Sequence, residues 1–139
     1  MKSKTIIETA KIFLDTDNHR KFVFLFLEKF SQCEVYVRPI LRDYLLNEDP
    51  NIKEEEIGLE CRQIIDAFSE KGIYFNDNKI VYNIFGSKNK TNESSCKWLR
   101  NKITHSLMQR ALREVCNRYD DLIDNMDNFI KTIEQQMYL

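Results

Sequence analysis

The chain has 139 residues and a mass of 16.7 kDa, enough for one domain whose core needs no disulfide or metal to hold it together. Hydrophobic residues make up 42% of it, with only three Gly and two Pro, which argues against a disordered chain and against a loop-rich all-β fold. The 21 basic and 22 acidic residues give a net charge of −1, so binding of nucleic acid by bulk charge is not expected, whereas a local basic surface remains open.

Neither an export signal nor a membrane span is expected from the sequence. The first eight residues contain no apolar signal-peptide core, and the most apolar run, Phe22 to Leu27, is too short to cross a bilayer. The four cysteines, at positions 33, 61, 96 and 116, are too far apart for a zinc knuckle or a redox pair. We therefore expect a cytoplasmic protein with reduced thiols, no membrane contact, no metal site and no cofactor.

The first half of the chain shows helical periodicity. Residues 4–14 form a short amphipathic pattern, and residues 19–46 keep a 3.6-residue period over a much longer stretch. Pro39 lies inside the second pattern, where it removes one backbone hydrogen bond and clashes with the carbonyl of Val35. We therefore expect a kink or a break near Arg38.

A third helix is predicted to begin after a turn at residues 47–51. Glu54, Glu55 and Glu56 suit its first turn, because the helix dipole favours acidic side chains there. Gly72 is predicted to end this helix as its C′ residue.

Residues 73–85 change in character. Aromatic and β-branched residues flank a polar turn at positions 76–79, a pattern typical of a small hairpin, although a loop packed on the helices fits nearly as well. Tyr74, Phe75 and Tyr82 are the best candidates for base stacking, but a small accessory core explains them more simply.

Residues 96–139 contain neither Gly nor Pro and predict two helices. A short break near Ser106–Gln109 fits between them, although nothing in the sequence demands one. Taken together, the patterns predict an all-α single domain over residues 1–139, a bundle of about five helices with an irregular or hairpin insertion near 73–85.

Charge is distributed unevenly along this chain. Residues 48–60 carry a net charge of −5 and residues 119–139 a net charge of −4, whereas residues 88–118 carry +6. A charge run usually marks a solvated helix face. The alternative is a local site for a phosphate backbone, in which three cations near the middle of the segment would bind substrate: Lys97, Lys102 and Arg110.

The basic segment contains the pattern Arg-x4-His, formed by Arg100 and His105, with Asn101 directly after the arginine and Trp98-Leu99 before it. In these residues the chain resembles the HEPN superfamily of small all-α domains, which are common in bacterial toxin–antitoxin and phage-defence systems. The motif also stands where that family has it, at the start of a late helix after a loop.

The same residues suit RNA cleavage without a metal. An arginine can grip a phosphate with two hydrogen bonds, and a histidine can move the proton of a ribose 2′-hydroxyl. Asn101 and His105 share one helical face, while Arg100 lies about 140° around an ideal helix from His105, so its side chain must reach over or the helix must be distorted.

The resemblance implies a homodimer that brings two motifs together and supplies a second His105, because one histidine cannot easily serve as both base and acid. It also implies RNA as substrate, cut to 2′,3′-cyclic phosphate and 5′-hydroxyl ends, with Arg100, Asn101 and His105 as the catalytic residues. The acidic segments would suit a basic antitoxin protein as a further partner.

Three functions follow. The first is this endoribonuclease, and the second is a HEPN-like module that binds a nucleotide, RNA or a partner protein without cutting. The third is a helical interaction protein in which Arg100 is a surface arginine, His105 caps a helix and Asn101 is a possible N-cap. His19, the other histidine, is assigned no role.

Overall fold

The computed structural model describes residues 17–87 and 94–137, and the predicted helix over 4–14 lies outside these ranges. Within them the fold is all-helical, as predicted, with no strand. The elements are α1 (Asp17–Glu48), a 3-10 turn (Glu54–Glu56), α2 (Cys61–Glu70), α3 (Lys79–Phe85), α4 (Cys96–Ser106), α5 (Gln109–Asn117) and α6 (Tyr119–Met137).

Helix α1 is the centre of the bundle, since it packs against α2, α4, α5 and α6. It runs without interruption through Pro39, so of the predicted kink or break near Arg38 the break is wrong. Val35 is 71% exposed and Pro39 is also on the surface. Water can therefore reach the backbone carbonyl that loses its partner, which lowers the cost of the proline. All six helices contribute buried residues to one hydrophobic cluster.

The third predicted helix begins later than its sequence suggested. Glu54–Glu56 form only a 3-10 turn, and α2 starts at Cys61. Between them buried Ile57 and Leu59 alternate with exposed neighbours, the periodicity of extended chain. Gly72 ends α2 as predicted: it has φ +77°, its N–H donates to Ser69, and the following N–H donates to Phe68.

The predicted hairpin near 73–85 is wrong, because its second half is α3. Asp77 accepts a hydrogen bond from the backbone N–H of Lys79 at 2.9 Å and so supports the start of this helix. The buried residues of α3 recur at helical spacing: Val81, Ile84 and Phe85. Before α3, Phe75 stacks on Phe129 of α6 with ring centroids 5.3 Å apart and so packs on the main core, whereas Tyr74 is 62% exposed.

The break predicted near Ser106–Gln109 is present, since α4 ends at Ser106 and α5 begins at Gln109. Leu107 makes this turn in the left-handed conformation, with φ 47° and ψ 43°. A second break at Arg118 separates α5 from α6 and divides a stretch that the sequence predicts as one helix. Across the described residues, no helix is long and apolar enough to cross a membrane.

Candidate functional site

Helix α4 carries the Arg-x4-His motif and is fixed at its N-terminus by a buried serine. The Oγ of Ser95 accepts a hydrogen bond from the backbone N–H of Trp98 and donates one to the carbonyl of Gly86. Ser95 is therefore the N-cap, and the alternative that Asn101 caps the helix is wrong. Buried Cys96, Leu99 and Ile103 attach the other side of α4 to the core.

The Arg100 side chain points towards α1 and does not reach over to His105. Its Nη1 donates to Oε1 of Glu34 at 2.6 Å, and its guanidinium carbon lies 4.5 Å from the centre of the Phe30 ring. The same guanidinium donates through Nε to Oδ1 of Asn101 at 2.8 Å. Helix α4 is continuous, so neither geometry expected for bringing Arg100 to His105 is found.

Glu34 is a residue of this site that the motif did not indicate. Its second oxygen, Oε2, accepts hydrogen bonds from Nε and Nη2 of Arg38, one turn later on α1. The spacing of Glu34 and Arg38 is visible in the sequence as an i, i+4 pair. Nothing local, however, relates Glu34 to Arg100, which lies 66 positions further along the chain.

Asn101 and His105 lie one turn apart on α4. The amide of Asn101 is held at its oxygen by Arg100, whereas the imidazole of His105 is exposed and makes no hydrogen bond or ion pair with the residues that the structure describes. His105 stands in the last turn of α4. Arg100 thus contacts Glu34 of α1 on one side and, on the other, Asn101, which shares a helix face with His105.

The three cations predicted to bind substrate have different surroundings. Lys97 is half-buried and donates through Nζ to the backbone carbonyl of Leu59 at 2.9 Å, so it holds the extended segment before α2. Lys102 Nζ and the Arg110 guanidinium carbon lie 5.6 Å and 6.0 Å from the centre of the Trp98 ring. In the described part of the chain, neither Lys102 nor Arg110 forms an ion pair. These two cations are therefore available to an anion, whereas Lys97 is engaged.

Within residues 17–87 and 94–137, no group of three or more His, Cys, Asp or Glu side chains is placed to hold a metal ion. The arrangement instead offers a guanidinium, an amide and an exposed imidazole, together with two cations that form no ion pair with the described residues. Comparison with known proteins yielded no match to a family model, a curated protein or a solved structure.

Proposed function

We propose that the chain is a metal-independent endoribonuclease of the HEPN type, acting in toxin–antitoxin or phage-defence systems as a homodimer. One observation carries the proposal: Arg100 donates to the Asn101 oxygen at 2.8 Å, and exposed His105 lies one helical turn beyond Asn101. Arg100, Asn101 and His105 thus lie within six residues of a single regular helix, with Asn101 in contact with Arg100 and one turn before His105.

In the proposed reaction, His105 accepts the proton of a ribose 2′-hydroxyl while the 2′-oxygen attacks the adjacent phosphorus. The bond from phosphorus to the 5′-oxygen breaks, and His105 of the second copy gives that oxygen its proton. Arg100 offsets the negative charge that develops on the phosphoryl oxygens, and Asn101 orients the reacting groups. The products are a 2′,3′-cyclic phosphate and a 5′-hydroxyl.

The second candidate is a HEPN-like module that binds a nucleotide, RNA or a partner protein without cutting it. The contacts of Arg100 favour it, because an arginine paired with Glu34 and covering Phe30 already stabilises the fold. If Arg100 is purely structural, His105 has no second group with which to cleave RNA. The nuclease therefore requires His105 for its activity, whereas the binding module does not.

The test is cleavage of total cellular RNA in excess chelator, followed by mapping of the 3′ ends. We expect cyclic-phosphate ends, and a loss of activity by roughly two orders of magnitude in His105→Ala. Because His105 is exposed, this variant should keep the melting temperature of the wild type. His19→Ala, which removes the only other histidine, is the matched control and should retain activity.

Activity that depends on an added metal, or that survives in His105→Ala, would contradict the nuclease proposal. Binding of RNA by a folded dimer without any cleavage would favour the binding module instead.

A further inference from the structure

Trp98, Lys102 and His105 lie along one face of α4. By the 3.6-residue period they fall within about 60° of one another around the helix axis. The buried residues Leu99 and Ile103 point away from this face into the core. Lys102 precedes His105 by less than one turn, and Trp98 precedes it by about two turns, or roughly 10 Å along the axis.

Arg110 reaches the same face from α5. The left-handed residue Leu107 joins the two helices, and the exposed Arg110 guanidinium carbon lies 6.0 Å from the Trp98 ring centre. Lys102 Nζ lies 5.6 Å from the same centre. Both distances are within the range of a cation–π interaction, so one indole holds a cation from each helix.

Three of the other basic groups near the motif are already engaged. Arg100 is paired with Glu34, Arg118 with Glu114, and Lys97 with a backbone carbonyl. Two like charges beside one ring, with no carboxylate among the described residues to neutralise them, form a local positive potential. A phosphate is the anion that such a pair fits.

We infer that Trp98, Lys102 and Arg110 form a subsite for a backbone phosphate of RNA, next to the phosphate that is cleaved. This inference rests on the proposed function, which makes RNA the substrate. It extends that function by naming the residues that bind the RNA next to the cleaved phosphate. Lys102 and Arg110 bind the phosphate, and Trp98 is a positioning residue that fixes both cations. Lys97, although it is close in sequence, takes no part.

Trp98 is the only tryptophan of the chain, so its fluorescence reports on this subsite alone. The probe is a ten-nucleotide single-stranded RNA with 2′-O-methyl groups throughout, which cannot be cleaved because the attacking oxygen is blocked. We expect a saturable change in Trp98 emission as the probe is added. Its binding constant should fall with salt, because phosphate contacts release counterions.

Substitutions separate the charges from the ring. Lys102→Ala and Arg110→Ala should each reduce the slope of log K against log salt by roughly 0.7, the value for one phosphate contact on a single strand. Lys131→Ala, an exposed lysine of α6, is the matched control and should leave the slope unchanged. Trp98→Leu removes no charge, yet should weaken binding roughly two- to fivefold, measured by anisotropy of labelled probe. Trp98→Phe keeps a ring and should weaken it less.

Saturated binding without a change in Trp98 emission, or equal salt slopes in the wild type and in both cation variants, would overturn the subsite. The outcome is separate from that of the nuclease proposal. Cleavage of unmodified RNA that does not depend on Lys102 or Arg110 refutes the subsite alone. Probe binding that depends on both cations, together with no cleavage of unmodified RNA, supports the subsite and refutes the nuclease.

Discussion

Glu34 binds two arginines at once, Arg38 on its own helix and Arg100 on α4. The Glu34 and Arg100 side chains are only 15% and 23% exposed, so solvent screens their ion pair less than it screens a surface pair. Because Arg100 also lies over the Phe30 ring, it joins α4 to α1 through charge and packing together. The residue that the motif assigns to phosphate binding is therefore also part of the scaffold.

Arg100→Ala should lower the free energy of unfolding by about 1–3 kcal/mol, because a half-buried carboxylate loses one of its charged donors. Arg100→Lys should recover part of this loss, since an ammonium restores the charge but not the fork that also reaches Asn101. Urea denaturation measures both effects. Arg62→Ala is the control: Arg62 is 77% exposed, its nitrogen lies 3.8 Å from Asp66, and its loss should cost under about 0.5 kcal/mol. Equal stabilities of Arg62→Ala and Arg100→Ala would show that the Glu34 pair does not join the helices.

Among the elements, two helices end in the left-handed conformation with different residues. Gly72 ends α2 at φ +77° without any Cβ to strain, whereas Leu107 ends α4 at φ 47° with a branched side chain. For an L-residue other than glycine this conformation costs roughly 1–2 kcal/mol. The end of α4, next to His105, therefore stores strain that the end of α2 does not.

Leu107→Gly should raise the free energy of unfolding by up to about 1 kcal/mol, because it relieves this strain at a cost in unfolded-state entropy. Leu107→Ala is the matched control, since it removes the same side chain but keeps the Cβ, and should bring no gain. Thermal denaturation of the two variants gives the comparison. A Leu107→Gly protein no more stable than Leu107→Ala would contradict a strained turn.

At the scale of the whole molecule, the core encloses thiols that only unfolding exposes. Cys33, Cys61 and Cys96 are buried thiols outside any disulfide, and burial raises the pKa of Cys96 from 9.0 to about 12. Burial raises the pKa of Cys33 as well, and the neighbouring Cys96 adds to that rise. The native state therefore keeps the protons of the Cys33 and Cys96 thiols at a pH where the unfolded chain loses them.

Stability should consequently fall as the pH rises from about 9 to about 12. The unfolded state then binds fewer protons than the native state, so each such thiol lowers the free energy of unfolding by up to about 1.4 kcal/mol per pH unit. Urea denaturation at pH 8, 9, 10 and 11 measures the slope. Cys96→Ala should be less stable at pH 8 because of the cavity it leaves, yet show a shallower decline above pH 9. Parallel declines would refute the contribution of Cys96.

The proposed site built from two copies makes a second prediction for the whole molecule. The experiment refolds wild type together with a ninefold excess of His105→Ala. Only about one wild-type chain in ten then pairs with another wild-type chain, and the other pairs have a single His105. Activity per wild-type chain should therefore fall about tenfold. An equal excess of an unrelated protein is the control. Unchanged activity per wild-type chain, or a monomer in analytical ultracentrifugation, would exclude a site built from two copies.

Local patterns were enough to predict several features of this protein. The all-α class and the C′ role of Gly72 follow from helical period and end signals within a few residues, whereas nothing in the sequence demands the break near Ser106–Gln109. The patterns gave wrong predictions for two short segments. Residues 57–60 were predicted to be helical and are extended, whereas residues 79–85 were predicted to lie in a hairpin and are helical. Short elements take their conformation from what they pack against.

The sequence by itself determined a helical bundle with Arg100, Asn101 and His105 on one late helix, because periodicity and motif spacing are local properties of a chain. Only the tertiary structure decided that Arg100 faces Glu34, that Lys97 serves the scaffold, and that Arg110 joins Lys102 beside Trp98. These contacts join residues 12 to 66 positions apart, and such pairs form only when whole helices have packed.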